Sequence, residues 1–218
     1  MEQKIAALFG ASGLIGSEIL SLLVKEELYK EVVVVTRRAL QINHPKVKEV
    51  IVDFKDESSL RNALIGVNHI FCSVGTTTKK VKGNKEEYRK IDYDIPVNAA
   101  KIGFDIGISH FSLVSSVGAN ERSSNFYLQL KGEVETEISQ FAIPSIAIYR
   151  PSMLLGNRKE FRFGEVVSKY IFVPLSFLVP SNYKPIQAKN VAQAMVATAK
   201  CEIPGIQILF YNEMMNLI

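Results

Sequence analysis

A glycine-rich segment near the N-terminus constrains the fold of this chain more than any other feature. It reads Gly-Ala-Ser-Gly-Leu-Ile-Gly over 10–16, follows an apolar run over 5–9 and precedes helically spaced apolar residues over 17–25. Glycines remove the Cβ atoms that would keep a pyrophosphate away from the backbone, and the N-terminus of the next helix offers free N–H groups. The pattern therefore predicts a strand, a phosphate-binding turn and a helix.

The spacing of the three glycines leaves a second interpretation open. Gly10, Gly13 and Gly16 form GxxGxxG, which matches the commoner GxGxxG fingerprint only loosely, so an ordinary glycine-rich turn would also explain it. The strand before the turn and the helix after it favour dinucleotide binding. We therefore expect the turn to supply these cofactor-binding residues: Gly10, Ser12, Gly13, Leu14, Ile15 and Gly16.

The remainder of the chain alternates between strand and helix patterns. Strands are predicted over 31–36, 47–52, 68–74, 110–114, 145–149 and 207–211. Helices are predicted over 58–64, 85–102, 126–141 and 188–200, with Pro96 expected either to kink the second of these or to start a new turn in it. This alternation predicts a parallel sheet with right-handed crossovers, hence an α/β, doubly wound, Rossmann-type fold. We expect a single domain over 1–218, with a small substrate-side region from about residue 150.

Composition argues against several classes of protein. The net charge of +4, from 26 basic and 22 acidic residues, does not demand a nucleic-acid partner. The apolar run 171–179 is interrupted by Pro174 and is too short to span a membrane, so a packed segment or a lid is expected. Cys72 and Cys201 lack metal-ligand spacing, and the N-terminus has no leader pattern. We expect a cytoplasmic protein with no metal site, no membrane span and no nucleic-acid partner.

Two further features have structural interpretations. His69 and His110 fall in or beside predicted strands and are expected to be buried structural residues rather than ligands. The charged run 79–87 is expected to be a mobile, solvated loop, with contact to cofactor phosphates as the alternative.

The end of the second predicted strand indicates which cofactor is bound. A site that prefers NAD usually offers an acidic residue to the ribose at this point, whereas here Thr36 is followed by Arg37 and Arg38. Arginine pairs with a 2′-phosphate through charge-assisted hydrogen bonds, so we expect NADP, as NADPH, to be preferred over NADH. Two solvated arginines are the alternative interpretation.

Other cofactor-binding candidates follow later strands. An aspartate after the third strand, Asp53, is placed to accept a hydrogen bond from an adenine amino group, or else to cap a helix or turn. The full set of these further candidates is Asp53, Phe54, Gly75, Thr76, Thr77 and Arg150.

A tyrosine and a lysine share one face of the predicted helix over 126–141. Tyr127 and Lys131 are spaced i, i+4, so both side chains can reach one site. Such a pair is weak evidence by itself. Its position strengthens it, because the pair follows Ser115 and Ser116 at the end of the fifth strand.

These motifs together resemble the short-chain dehydrogenase/reductase superfamily, especially its extended and atypical branches. The resemblance rests on the GxxGxxG turn, Ser115-Ser116, Tyr127-x-x-x-Lys131 and Arg150-Pro151. A narrower resemblance, to the atypical reductases of the Tat-interacting-protein type, covers nearly the whole chain. It is carried by the segments 72–77, 110–119, 123–135 and 150–156.

The resemblance implies an NADPH-dependent oxidoreductase that acts on a small carbonyl compound. It makes Tyr127 the acid/base, while Lys131 favours the phenolate and also hydrogen-bonds the nicotinamide ribose. It implies a serine hydroxyl that polarises the substrate carbonyl, for which Ser116 is the first choice and Ser115 the second. Where the main group of the superfamily carries an Asn on the preceding helix, this chain has Asp92.

Two other functions stay open at this point. A non-catalytic regulatory or redox-sensing protein would bind NADPH without needing Ser116, Tyr127 and Lys131. An epimerase or isomerase with tightly held NAD is disfavoured by Arg37 and Arg38. Because the region after residue 150 is small, we expect a shallow pocket, or one completed by the second subunit of a homodimer.

Overall fold

A sheet of parallel strands forms the centre of the protein, for which a computed structural model describes residues 3–156 and 180–218. Its strands are β1 (Lys4–Phe9), β2 (Tyr29–Thr36), β3 (Val47–Ile51), β4 (His69–Cys72), β5 (His110–Val114), β6 (Ser145–Tyr149) and β9 (Gly205–Leu209). They lie in the order β3-β2-β1-β4-β5-β6-β9, and every neighbouring pair is parallel. A separate parallel pair consists of β7 (Leu154–Leu155) and β8 (Ile186–Gln187). The predicted doubly wound, Rossmann-type fold is confirmed.

Helices connect the strands on both faces of the sheet. They are α1 (Leu14–Leu23), α2 (Glu57–Ala63), α3 (Lys85–Arg89), α4 (Ile95–Asp105), α5 (Phe126–Ile138), α6 (Ala188–Cys201) and α7 (Tyr211–Met215). A π-helix, Lys90–Asp94, joins α3 to α4, and a short 3₁₀ helix spans Ser181–Tyr183.

Alternation along the buried strands builds a separate core on each face of the sheet. On β2, Val33 and Val35 pack into the core beneath α2, α4 and α5, whereas Val32 and Val34 pack into the core beneath α1 and α6. A strand covered on both faces has no solvent-facing side, so its sequence is a continuous apolar run rather than an alternating one. This explains why the run 32–35 contains only valine.

The structure differs from the predicted elements where local geometry is irregular. The long helix predicted over 85–102 is interrupted before Pro96 by the π-helix, and Pro96 lies in the first turn of α4, where its missing N–H is tolerated. The last strand lies over 205–209 rather than 207–211, and a short helix begins at Tyr211. The apolar run 171–179 lies outside the described residues.

Much of the region after residue 150 belongs to the core of the domain. Helix α6 packs against α1, and β9 extends the sheet beside β6. The second half of this region thus completes the Rossmann sheet, and the substrate-side role expected for the region stays a prediction.

A buried polar cluster closes the edge of the sheet where the strands begin. His69, the first residue of β4, is fully buried; its Nδ1 is 2.8 Å from the Tyr29 hydroxyl and its Nε2 is 2.7 Å from Glu202. Glu202 also pairs with Lys4 at 2.6 Å and accepts a hydrogen bond from Ser109. Glu202 adopts a left-handed conformation with φ 44° after α6, which brings its carboxylate to this cluster.

The cluster makes the stability of the fold depend on pH. Burial lowers the pKa of His69 from 6.5 to about 4, so the histidine is neutral at pH 7. Burial acts to raise the pKa of Glu202, but hydrogen bonds from Lys4, Ser109 and His69 outweigh it and lower the pKa from 4.5 to about 2. Both groups bind a proton more readily in the unfolded chain. The contribution of His69 to the stability of the fold is therefore complete above pH 6.5 and is lost as the pH falls through about 4. The contribution of Glu202 is complete above pH 4.5 and is lost as the pH falls through about 2.

We therefore predict that Glu202→Gln lowers the free energy of unfolding at pH 7 by about 1–3 kcal/mol, because buried partners lose a charged acceptor. It should also flatten the loss of stability between pH 4.5 and about 2. Urea unfolding across this pH range is the measurement. Glu57→Gln, on an exposed ion pair, is the control and should change stability by less than about 0.5 kcal/mol. Equal pH slopes for Glu202→Gln and the unmodified protein would contradict the prediction.

Candidate active site

The glycine-rich turn packs directly against the end of β4. Gly10 has φ +85°, and a Cβ there would lie 2.8 Å from the carbonyl oxygen of Ser73. A Cβ on Gly16 would overlap the carbonyl of Gly10. Ser73 in turn donates from its N–H and its hydroxyl to the Phe9 carbonyl, at 3.0 and 3.1 Å. These two glycines are therefore required by the fold itself.

The middle glycine has a different environment. Gly13 precedes α1 with φ −79°, and within 4 Å of a Cβ there the described part of the chain places only the carbonyl oxygen of Gly10, at 3.2 Å. The first turn of α1 contains no acidic residue and its N-cap makes no side-chain hydrogen bond. An uncapped helix N-terminus next to an open glycine fits an anionic phosphate group.

The other expected members of the turn lie around this opening. Ser12 is exposed and Leu14 is half-buried, whereas the Ile15 side chain is 5% exposed and packs into the core beneath α1. Ile15 can therefore face a ligand only through its backbone N–H.

A basic cavity of about 560 Å³ lies beside the end of β2. Its walls are Arg37 and the loop that follows β4, and its lining residues are Arg37, Lys80, Val81, Lys82, Asn84, Glu87 and Ile91. Arg38 is exposed next to Arg37. The structure thus brings the charged run 79–87, expected as a mobile and solvated loop, next to the expected 2′-phosphate-binding arginine.

Asp53 and Phe54 have local roles at the end of β3. Asp53 Oδ1 accepts a hydrogen bond from the N–H of Lys55 at 3.0 Å, which forms a turn before α2. The ring of Phe54 lies 6.2 Å from that of Phe9 and packs against the core. The turn interpretation of Asp53 accounts for this geometry, and the cofactor role expected for both residues stays a prediction.

The loop after β4 is held by a carboxylate from the π-helix. The N–H of Thr76 donates to Asp92 Oδ2 at 2.7 Å, and the Tyr88 hydroxyl donates to the Thr76 carbonyl at 3.2 Å. A Cβ on Gly75 would lie 3.6 Å from Asp92 Oδ1. Thr77 accepts a hydrogen bond from the N–H of Lys80 at 3.2 Å. Gly75, Thr76 and Thr77 thus lie in a loop that is held by hydrogen bonds, and the cofactor role expected for them stays a prediction.

The tyrosine and the lysine of α5 meet as the sequence predicts. Lys131 Nζ lies 6.0 Å from the centre of the Tyr127 ring and 3.3 Å from Asp92 Oδ1. Tyr127 is 37% exposed, whereas Lys131 is 5% exposed and Asp92 1%. Burial acts to lower the pKa of Lys131, but the charge of Asp92 leads the interactions that raise it above its usual value, so Lys131 is an ammonium at neutral pH.

The two serines after β5 have different surroundings. The Ser115 hydroxyl is buried and donates to Glu135, which also holds Arg150 through a bidentate ion pair whose Nε contacts are 3.0 and 3.1 Å. The Ser116 hydroxyl is half-buried and makes only a long hydrogen bond, 3.3 Å, to the Val117 carbonyl among the described residues. Ser116 is therefore the hydroxyl available to a ligand.

Two of the residues expected in the site make strong contacts inside the fold. Ser115 was the second choice for the catalytic serine, but its hydroxyl is committed to Glu135 inside the fold. Arg150 was expected to bind the cofactor, but its guanidinium is paired with Glu135 and lies 5.7 Å from the centre of the Phe210 ring. Both residues thereby satisfy the buried carboxyl group of Glu135. The catalytic role expected for Ser115 and the cofactor role expected for Arg150 stay predictions.

Backbone contacts fix Ser116 relative to α5. The N–H groups of Ser115 and Val117 donate to the carbonyls of Tyr149 and Pro151, at 2.7 and 3.0 Å. The N–H of Asn120 donates to the carbonyl of Leu128 in the first turns of α5, at 3.0 Å. A Cβ on Gly132 would overlap the backbone of the same loop, so the loop after β5 and α5 are in close contact.

Two features of the site were not predicted from the sequence: the contacts of Glu135 and the pairing of Asp92 with Lys131. Glu135 follows Lys131 at the i+4 spacing, so it lies on the same helical face, and this spacing could have revealed it. The pairing of Asp92 with Lys131 joins separate elements and carries no local signal. Among the described residues, no group of three or more His, Cys, Asp or Glu side chains could hold a metal ion.

The fold and the turn define a Rossmann-type nucleotide-binding protein. A model of an NAD(P)H-binding family matches residues 10–143. The chain therefore belongs to this NAD(P)H-binding family, as an atypical short-chain dehydrogenase/reductase of the Tat-interacting-protein type, which confirms the resemblance found in its motifs.

Relatives agree with this assignment, and a solved structure agrees with the fold. Protein HTATIP2 of Rattus norvegicus is 31% identical over 199 residues, which cover 90% of this chain and 81% of that protein. Protein FMP52, mitochondrial, of Meyerozyma guilliermondii is 38% identical over 200 residues, covering 89% and 84%. The structure of MoeE5 in complex with UDP-glucuronic acid and NAD has a TM-score of 0.75 at 18% identity, covering 94% of this chain and 75% of that one. This last likeness supports the fold alone.

The expectation of a cytoplasmic protein is wrong by the same comparison. Relatives from Scheffersomyces stipitis, Meyerozyma guilliermondii and Candida albicans are named as mitochondrial proteins. The expectation rested on cysteines without metal-ligand spacing, which fit a reducing compartment, and on a missing leader pattern, and neither feature identifies a compartment. Across residues 3–156 and 180–218, no helix has the length and apolar character needed to cross a membrane.

We predict that Gly13→Val abolishes cofactor binding and leaves the fold intact. The backbone conformation at Gly13 suits any L residue, and a small shift of the turn would relieve the 3.2 Å contact of a Cβ with the Gly10 carbonyl oxygen, but branched carbons there would exclude a pyrophosphate. The NADPH dissociation constant from a fluorescence titration should rise at least tenfold, or about 1.4 kcal/mol.

Gly16→Val is the contrasting variant. Its Cβ would overlap the Gly10 carbonyl, so it should lower the melting temperature without added ligand, whereas Gly13→Val should melt near the unmodified protein. Normal NADPH binding by Gly13→Val would show that the glycine-rich segment is only a turn.

Proposed function

We propose that the protein is an NADPH-dependent reductase of a small carbonyl compound. The observation that carries the proposal is the position of Lys131 Nζ beside the Tyr127 ring, on a helix in contact with the loop that carries Ser116. In doubly wound sheets, ligands bind outside the carboxyl ends of the strands, next to the point where the strand order reverses. Here that point lies between β1 and β4, where the turn packs.

The side chains fit proton transfer to a carbonyl oxygen. Tyr127 is exposed enough to reach a substrate, and its hydroxyl group is of the kind that can act as a general acid. Lys131, kept as an ammonium beneath it, stabilises negative charge on the phenol oxygen after the proton has left. A bound nicotinamide cofactor would supply the hydride. Ser116 would donate a hydrogen bond to the carbonyl oxygen as negative charge develops there.

The preference for NADPH is supported by charge around the cavity beside β2. Arg37, Lys80 and Lys82 line it, and the one acidic residue in its lining, Glu87, is paired with Lys90 at 2.6 Å. Apart from Glu87, these lining residues include no carboxylate that could bind the 2′-hydroxyl of NADH. The net positive wall suits a 2′-phosphate.

The substrate side is formed, in this proposal, by the segment that follows β6. Gly156, directly after β7, packs so closely on α1 that a Cβ there would lie 2.8 Å from the side chain of Leu14. The Ser152 hydroxyl donates to the Lys184 carbonyl at 2.5 Å, which ties this segment to the chain before β8. The pair of short strands therefore lies beside the phosphate-binding turn, where a substrate would meet the cofactor.

The cofactor preference is tested by Arg37→Ala combined with Arg38→Ala. The unmodified protein should bind NADPH roughly tenfold or more tightly than NADH, because hydrogen bonds to charged groups contribute about 1.5–3 kcal/mol. The double variant should bind both equally. Arg61→Ala, which removes an arginine paired with Asp105, is the control and should keep the preference. Equal or tighter binding of NADH by the unmodified protein would rule the preference out.

The chemistry is tested by Tyr127→Phe, assayed as NADPH oxidation with a panel of aldehydes, ketones and quinones. Loss of the phenol oxygen should lower turnover by roughly 10²–10⁴-fold, the usual contribution of a positioned general acid, with NADPH affinity retained. Lys131→Met should reduce both turnover and affinity. Tyr183→Phe, at an exposed tyrosine, is the control and should change neither.

Two results would contradict the proposed reaction. Near-normal turnover by Tyr127→Phe would place the acid elsewhere. Tight NADPH binding by the unmodified protein without reduction of any carbonyl would favour a regulatory, NADPH-sensing protein instead.

A further inference from the structure

A buried carboxylate connects the loop after β4 with the lysine of α5. Asp92 is 1% exposed, and its two oxygens have different contacts. Oδ2 accepts the hydrogen bond from the Thr76 N–H at 2.7 Å, and Oδ1 lies 3.3 Å from Lys131 Nζ. Isolated buried charges are strongly unfavourable, so Asp92 and Lys131 each stabilise the charge of the other.

The other titratable groups near Lys131 do not replace this carboxylate. Tyr127 on α5 and Cys72 on β4 are its further electrostatic neighbours among the described residues. Burial raises the pKa of Cys72 to about 11, so this thiol is neutral at pH 7. Asp92, on the π-helix, therefore contributes the negative charge that balances the lysine.

The π-helix explains how Asp92 reaches this position. The segment Lys90–Asp94 is wound more widely than the α-helices on either side, and such turns are rare and frequent at functional sites. Asp92 is in the middle of the segment and buried, while Arg89, just before it, pairs with Glu133 at 2.5 Å. The wider turn rotates Asp92 towards α5 and leaves the neighbouring charges near the surface.

We propose that Asp92 is a positioning residue for carbonyl reduction, which holds Lys131 as an ammonium beneath Tyr127 and ties it to the cofactor-binding loop at Thr76. This inference rests on the proposed function, since Asp92 acts only through Lys131. An Asn at this place could accept the hydrogen bond from Thr76, but it could not balance the charge of the lysine.

Loss of the Asp92 charge should shift the pH dependence of carbonyl reduction in one direction. Reduction of a carbonyl requires a protonated phenol and a charged lysine. Removal of the negative charge of Asp92 favours loss of the proton from both groups, because the surrounding potential becomes more positive. Activity should then be lost at lower pH than in the unmodified protein.

Asp92→Asn tests this consequence, because asparagine keeps the size of the side chain and an oxygen for the Thr76 N–H. The high-pH limb of kcat/KM for carbonyl reduction should move to lower pH by about one unit or more. NADPH affinity, from fluorescence titrations, should fall between pH 7 and 9.5 in this variant and stay constant in the unmodified protein. Asp94→Asn, which removes an equal charge from the same π-helix, is the matched control and should shift neither profile.

A double variant tests the charge pairing without any cofactor. Asp92→Asn leaves a buried, unpaired ammonium, whereas Asp92→Asn combined with Lys131→Met removes both charges. The double variant should therefore melt at a higher temperature than Asp92→Asn alone. Because this comparison requires neither cofactor nor activity, it still tests the charge pairing if Asp92→Asn folds poorly.

The possible results separate this inference from the proposed function. If the unmodified protein binds NADPH and reduces a carbonyl, but Asp92→Asn lowers activity equally at every pH, Asp92 is structural only and the inference is wrong. A double variant that melts no higher than Asp92→Asn also contradicts it. If the unmodified protein does not bind NADPH, the proposed function fails, and the positioning role fails with it.

Discussion

The close approach of two backbone segments at the centre of the sheet is the constraint on which the rest of the structure depends. β1 and β4 end side by side. There the Ser73 carbonyl occupies the space that a side chain at Gly10 would need, and the Gly10 carbonyl occupies the space that a side chain at Gly16 would need. With these side chains absent, α1 can begin against the sheet with its N-terminus open to the edge. The same packing holds the start of the loop after β4. One contact, between Gly10 and Ser73, therefore positions both the glycine-rich turn and this loop.

Charges are buried at both edges of the sheet, but in different ways. At the edge where strands begin, Glu202 joins Lys4, His69 and Ser109 in a cluster in which nearby donors satisfy the carboxylate. At the opposite edge, Lys131 is enclosed with a single carboxylate partner within hydrogen-bonding range among the described residues. The first arrangement stabilises the fold. The second keeps a cation beside an exposed phenol, where its field can act on a ligand.

The sequence was sufficient for features that depend on contiguous residues. The strands over 110–114 and 145–149 were predicted to the residue, because each is a short apolar run covered on both faces. The spacing of Tyr127 and Lys131 also predicted their proximity. The π-helix and the commitment of Ser115 to Glu135 could not be predicted in this way. Each depends on contacts between elements that are distant in the chain, and a local pattern carries no information about them.

The separation of the two serines shows how such distant contacts shape the site. Glu135 is buried on α5 and is satisfied from two strands, by Ser115 after β5 and by Arg150 after β6. This three-way contact holds the ends of both strands against α5. The next hydroxyl along the chain, Ser116, is thereby fixed by its neighbours and needs no strong hydrogen bond of its own. A hydroxyl that is held in place but weakly bonded can donate to a ligand without first breaking a strong internal bond, which lowers the free-energy cost of that interaction.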